Sequence, residues 1–169
     1  GDRVYVLGGS GLLYCLDSVT GEVQWHRDYV HDFGATLPVW GMTGAPLVDG
    51  DRLICLVGGE AGATVVAFDK RTGKVLWKSI PSESEPGYSP PVIVENGDRR
   101  QLILWHPRAV YSLDPSSGRI LWQQPFKVAM GLTVATPAFS GLRLLVSSFY
   151  NGSLMLELER DGSGARVLW

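Results

Sequence analysis

The chain has 169 residues, 15 Lys+Arg against 17 Asp+Glu, and is 45% hydrophobic with 19% charged residues. This composition describes a packed globular protein rather than a disordered one, with no basic footprint for nucleic acid and no polybasic stretch for anionic lipid. No window approaches 18 consecutive apolar residues, so no transmembrane helix is expected, and no secretory leader is visible in a chain that opens at Gly1.

The first segment, residues 1–28, opens on an apolar run after Gly1-Asp2-Arg3 and closes on Leu16-Asp17-Ser18-Val19-Thr20-Gly21-Glu22-Val23-Gln24-Trp25. That closing pattern returns three times. Phe68-Asp69 leads through Thr72-Gly73 to Trp77, and Leu113-Asp114 leads through Ser117-Gly118 to Trp122. Leu158-Glu159 leads more loosely to Trp169. The tryptophans stand 52, 45 and 47 residues apart. Two further series keep the same period. Gly1-Asp2-Arg3, Gly50-Asp51-Arg52, Gly97-Asp98-Arg99 and Gly141-Leu142-Arg143 each precede an apolar run, while Ala45-Pro46, Pro90-Pro91 and Thr136-Pro137 each open a short strand. Three registers at one period establish an internal repeat.

Each period reads as four strands. In the second, residues 43–80, these are Ala45–Val48, Leu53–Val57, Thr64–Phe68 and Val75–Ile80, parted by Gly- and Asp-rich turns. The third covers 89–124 and the fourth 135–169. Apolar runs without alternation, such as Leu53–Val57 and Leu102–Trp105, predict strands covered on both faces, and no long helix is expected. A repeated four-stranded unit of this length predicts an all-β chain, a β-propeller of antiparallel blades. The first period lacks its Pro-led strand, which leaves fifteen strands and predicts an incomplete arc of about four blades with an open edge at Asp2–Leu7.

In each hairpin Asp accepts turn N–H groups and Gly supplies the positive φ: Asp17 with Gly21, Asp69 with Gly73, Asp114 with Gly118. A small residue, Cys15, Ala67 or Ser112, stands ten positions before Trp25, Trp77 or Trp122 and leaves room for the indole. All four tryptophans, Trp169 included, are therefore expected to be staples between blades. If Glu159 takes the Asp role, the last hairpin is two residues longer than the others.

The run Ala67-Phe68-Asp69-Lys70-Arg71-Thr72-Gly73-Lys74-Val75-Leu76-Trp77 resembles the tryptophan-docking motif of the pyrroloquinoline-quinone (PQQ)-like propeller family, and two further copies match closely. The resemblance covers the chain and implies the propeller fold. Its members include quinone-dependent alcohol dehydrogenases and non-catalytic envelope proteins such as the outer-membrane-assembly lipoprotein. It implies a periplasmic or envelope location and, for the dehydrogenase branch only, PQQ with a calcium ion under an adjacent-cysteine disulfide.

This sequence has no Cys-Cys pair. Cys15 and Cys55 read as small core residues, and a bridge between them requires their strands to face across neighbouring blades. His26, His31 and His106 lack metal-ligand spacing, and Glu159–Gly164 reads as a capped hairpin rather than a calcium loop. No catalytic, cofactor or metal residue is therefore assigned. The Ser82-Glu83-Ser84-Glu85 run reads as a solvated loop. The candidate ligand or partner site lies in the linkers that lead into the innermost strands. These are Asp28–Gly44 with His31, Asp32, Phe33, Trp40 and Met42, Ser79–Ser89 with Tyr88, and Gln123–Ala135 with Met130. The expected partner is a protein or the remaining blades of the propeller. A binding or scaffolding module is the reading preferred over a dehydrogenase fragment.

Overall fold

The computed structural model describes residues 1–81, 85–96 and 99–169, so the solvated-loop reading of Ser82, Glu83 and Ser84 lies outside the described residues. The chain forms two compact units, Gly1–Pro86 and Gly87–Trp169, each built of two antiparallel sheets. The first unit holds β1 (Arg3–Leu7), β2 (Leu12–Asp17) and β3 (Val23–Asp28) in one sheet. Its second sheet comprises β4 (Leu47–Asp49), β5 (Arg52–Gly59), β6 (Ala63–Asp69) and β7 (Val75–Ser79). A five-residue helix, α1 (Tyr29–Phe33), leaves β3. The second unit pairs β8 (Val92–Asn96), β9 (Arg99–His106), β10 (Ala109–Leu113) and β11 (Ile120–Pro125). Its other sheet comprises β12 (Ala138–Ser140), β13 (Arg143–Ser148), β14 (Gly152–Leu158) and β15 (Ala165–Val167).

Every sheet is an up-and-down meander in chain order, the blade topology of a β-propeller. The Pro-led strands begin after their prolines, because proline donates nothing to a ladder: β4 starts at Leu47, beyond Ala45-Pro46. The runs without alternation are buried throughout, as Leu53–Gly59 and Gln101–His106 show. In the first unit Leu13, Tyr29, Phe33, Met42, Leu53, Cys55, Val57 and Phe68 share one core. In the second, Ile103, Trp105, Val110, Trp122, Leu144 and Leu156 share another.

The hairpins close as their composition requires. Asp69 Oδ1 accepts from the N–H groups of Arg71 (3.0 Å) and Thr72 (2.8 Å) and from the Thr72 hydroxyl (2.9 Å). Gly73 N–H returns to the Asp69 carbonyl at 2.8 Å with φ +68°. Those donors, led by the Thr72 hydroxyl, hold the Asp69 carboxyl below its ordinary range. Asp17 and Asp114 make the same turn.

Each small residue lies directly opposite its tryptophan: Cys15 faces Trp25, Ala67 faces Trp77 and Ser112 faces Trp122. The ladder then skips one residue, Gln24, Leu76 or Leu121, so that Leu16 faces Val23, Phe68 faces Val75 and Leu113 faces Ile120. This threefold β-bulge re-aims the strand beside each indole.

The fourth copy departs from the expectation in two ways. Glu159 N–H meets the Gly164 carbonyl, the same five-residue closure as Asp17 to Glu22, so the turn is not lengthened; the extra residues fall in the returning strand. The carboxylate role passes to Asp161, which accepts from the Ser163 N–H (2.9 Å) and hydroxyl (2.6 Å). Without a bulge, Glu157 faces Arg166, and Trp169 stands three positions further along. Trp169 is 63% exposed, against 9% or less for Trp77 and Trp122.

Both cysteines are buried free thiols, which corrects the bridge left open by the sequence. Burial pushes the Cys55 thiol up to about 12, beside the fully buried Tyr29.

Candidate functional site

In the first sheet the β1–β2 turn, Gly8–Gly11, and the segment that leaves β3 after Asp28 lie at one end. The linker folds down on that turn: Tyr29 N–H donates to the Gly11 carbonyl and Met42 N–H to the Gly9 carbonyl, both at 2.9 Å. Gly41, at φ +76°, passes so close that a Cβ there would stand 2.8 Å from the Gly9 oxygen, which only glycine permits. The helix reaches the second sheet, where Glu60 N–H donates to the Phe33 carbonyl at 2.8 Å.

Helix α1 accounts for part of the predicted site. Asp28 caps it by accepting from Val30 (3.0 Å) and His31 (3.1 Å) N–H groups. Asp32 reaches back to the Asp28 N–H at 3.2 Å and lies 3.9 Å from Arg27. Asp32 thus serves the cap, and exposed His31 sits 3.3 Å from its second oxygen. Phe33 is buried edge-on against Phe68 (5.8 Å), with the Lys78 ammonium 5.2 Å from its ring centroid. Met42 is buried in the same core. Trp40 is 52% exposed, flanked by exposed Leu37 and Val39.

The second unit repeats the arrangement with different residues. Phe126 N–H donates to the Arg108 carbonyl (3.0 Å) and Val128 N–H to the Pro107 carbonyl (2.7 Å), which lays the linker over the β9–β10 turn. Ala129 N–H donates to Asn151 Oδ1 at 2.7 Å, tying the linker to the β13–β14 turn. Tyr88 is buried, its N–H on the Thr133 carbonyl at 3.1 Å. Met130, at φ +55°, is exposed.

The predicted residues therefore separate into two groups. Phe33, Met42 and Tyr88 hold the linkers down and Asp32 caps a helix, whereas His31, Trp40 and Met130 face solvent. Sequence reasoning missed Phe149, 86% exposed, and Tyr150, stacked edge-on at 4.9 Å. Two aromatics ahead of Asn151-Gly152, where a turn needs no apolar side chain, were the available signal. Met130 and Val134 are likewise exposed on the second unit, as Leu37, Val39 and Trp40 are on the first.

The opposite end of the first unit works as a seam. Trp25 lays its ring on the Asp69–Gly73 turn, where a Cβ on Gly73 would stand 2.8 Å from the indole. The Trp25 Nε1 and Tyr5 hydroxyl donate to the Lys70 carbonyl (3.2 and 2.9 Å), Arg3 to Arg71 (2.7 Å) and Arg27 to Gly73 (2.8 Å). Because Asp69 absorbs the turn's N–H groups, its carbonyls are left to point outward at these donors. Trp122 in the second unit instead donates to Gln101 Oε1 at 2.9 Å, a buried acceptor shared with Ser112.

Among the described residues no three His, Cys, Asp or Glu side chains converge as a metal site. Burial lowers His106 to about 4, while its Nδ1 accepts from the Arg108 N–H at 3.3 Å. No helix is long and apolar enough to cross a membrane among the described residues.

A family model described as "Outer membrane protein assembly factor BamB" matches residues 1–169. A quinoprotein ethanol dehydrogenase of Pseudomonas aeruginosa is 30% identical over 137 residues, 73% of this chain and 21% of that relative. The chain thus spans about a fifth of that relative's length. Among solved structures, BamB from Moraxella catarrhalis superposes with a TM-score of 0.66 at 18% identity, over all of this chain and 49% of that one. The computationally designed Ika4 protein superposes at 0.57 and 12% identity, covering 94% of this chain and 87% of the other. At these identities the superpositions speak for the fold alone.

Proposed function

This chain belongs to the PQQ-like propeller family of the outer membrane protein assembly factor BamB, and from that premise we propose that it is a binding and scaffolding module of the cell envelope. The observation that carries the proposal is the pair of exposed apolar groups at the linker ends, Leu37, Val39 and Trp40 on one unit and Met130, Val134, Phe149 and Tyr150 on the other. Neighbouring residues, Pro38, Gly41 and Met42 on the first unit and Ala129 and Asn151 on the second, are tied by hydrogen bonds, which limits the ordering cost of binding through the aromatic anchors. The partner that fits is an apolar stretch of another protein.

The experiment is site-specific photocrosslinking in the native envelope, with the photoreactive residue at position 39 or 149. Position 19, exposed in the Asp17–Gly21 hairpin at the opposite end of its sheet, is the control. One partner band at 39 or 149 and none at 19 is expected. No band, or equal bands at all three positions, removes the proposal.

The 30% identity to a quinoprotein ethanol dehydrogenase favours a second reading, a segment of a PQQ-dependent alcohol dehydrogenase. The described residues do not supply the adjacent cysteines or convergent carboxylates of a PQQ–calcium seat. No step is derived through those groups.

A further inference from the structure

His106 ends strand β9 and is buried at the turn Pro107-Arg108 that leads into β10. Its Nδ1 accepts from the Arg108 N–H at 3.3 Å, and its ring stands edge-on to Tyr111 at 6.0 Å. The carbonyls of the same two turn residues carry the linker that leaves β11. Phe126 N–H donates to Arg108 at 3.0 Å and Val128 N–H to Pro107 at 2.7 Å. Phe126 also stacks on Trp105, with ring centroids 6.3 Å apart and planes 14° apart, and Val128 is buried. One imidazole nitrogen thus holds the turn from which the linker hangs.

Nδ1 accepts only while it carries no proton, so the closed turn requires the neutral ring with its proton on Nε2. Protonation sets a second N–H against that of Arg108, two donors facing each other in a buried place. The elements around the turn offer the new charge no counter-ion. They are β10, the linker, and the segment Gly87–Pro91, where a Cβ on Gly87 would stand 3.2 Å from Pro107 Cδ. With the turn they bring Arg108, Lys127, Tyr111 and Tyr88 as titratable side chains and no carboxylate, while β9 adds Arg99 and Arg100 at its other end. Burial first, and then the Arg108 charge, hold the imidazole at about 4.

We infer that His106 is an acid-released latch: a proton taken up at Nδ1 opens the β9–β10 turn and frees the linker at residues 126–128. Opening drops both linker hydrogen bonds and admits water to Trp105 Nε1, which is buried with no acceptor among the described residues. Further along, Ala129 stays tied to Asn151, which confines the release to the stretch over the turn. The latch is a property of this unit alone and does not depend on what the apolar groups bind.

The test is amide hydrogen exchange of the 169-residue chain, read by NMR at pH 7.5 and pH 5 and corrected for the intrinsic pH dependence. An opening that returns His106 from about 4 to its ordinary 6.5 should raise the opening constant at Phe126 and Val128 about 30-fold at the lower pH. At pH 5 these two amides should open at least about tenfold more often than the slowest amides of β13 and β14, which report unfolding of the whole unit. In His106→Gln, which offers an acceptor that does not titrate, the rise should vanish. The ring nitrogen shifts of the unsubstituted chain serve if that variant does not fold: Nδ1 should be bare at pH 7 and take its proton well below 6.5. A constant opening between the two pH values or an undiminished rise in the variant overturns the inference. So does opening at 126 and 128 no more frequent than in β13 and β14, or a proton on Nδ1 at pH 7.

Discussion

Two glycines in equivalent hairpins separate backbone strain from packing. Gly21 and Gly73 share a positive φ, but nothing lies within 4 Å of a Cβ built on Gly21, whereas Trp25 blocks one on Gly73. Gly21→Ala is expected to cost about 1 kcal/mol, the left-handed penalty alone. Gly73→Ala should cost about 2–4 kcal/mol because the indole must also move, and chemical denaturation of both variants measures the difference. Equal losses would mean that the indole yields freely. His106 supplies a pH signature. Its folded value of about 4 lies below the ordinary 6.5, so between those limits the unfolded chain binds the proton and the folded chain does not. Stability therefore falls as pH drops from 6.5 towards 4, by up to about 3 kcal/mol from this group. In His106→Gln that part of the slope should vanish, as urea titrations at pH 7 and pH 5 will reveal.

The strands and hairpins were legible because their signals are local: a carboxylate, a glycine and an apolar run fix a turn and a ladder without outside help. The bulges at Gln24, Leu76 and Leu121 were not, since an inserted residue inside an apolar strand changes register without changing composition. Helix α1 was hidden by its length, five residues being too few for a 3.6-residue period, although Asp28 and Gly34 are its caps. The candidate site was half legible. Sequence distinguishes an aromatic in a linker from one in a strand, but not Phe33, which plugs the core, from Trp40, which faces water. Trp77→Ala, which removes the buried side chain of the otherwise exposed outer strand β7, is expected to lower stability by about 3–5 kcal/mol. Trp40→Ala should cost less than about 1 kcal/mol, and parallel thermal melts check the contrast. If the two variants melt alike, Trp40 is a packing residue and leaves the candidate site.

At the scale of the whole chain, membership in the family fixes the fold, while its similarity to an ethanol dehydrogenase extends over only 21% of that relative. Purified protein titrated with PQQ and calcium is expected to leave the quinone absorbance unchanged, because no three His, Cys, Asp or Glu side chains converge among the described residues. Saturable micromolar binding would shift the balance to the dehydrogenase reading. The seam at Trp25 has a consequence for how such a chain grows. Its two halves, an indole and a bare glycine, belong to successive periods, so a period copied whole carries one half for each neighbour. A duplicated unit that carries both halves is thus compatible with an indole on one flank and a bare glycine on the other, and unit number can change at such a seam by gene duplication without its redesign. A splice placed between Gly73 and Trp77, by contrast, deals the two halves to different parents, and recombination there must find its complementarity anew.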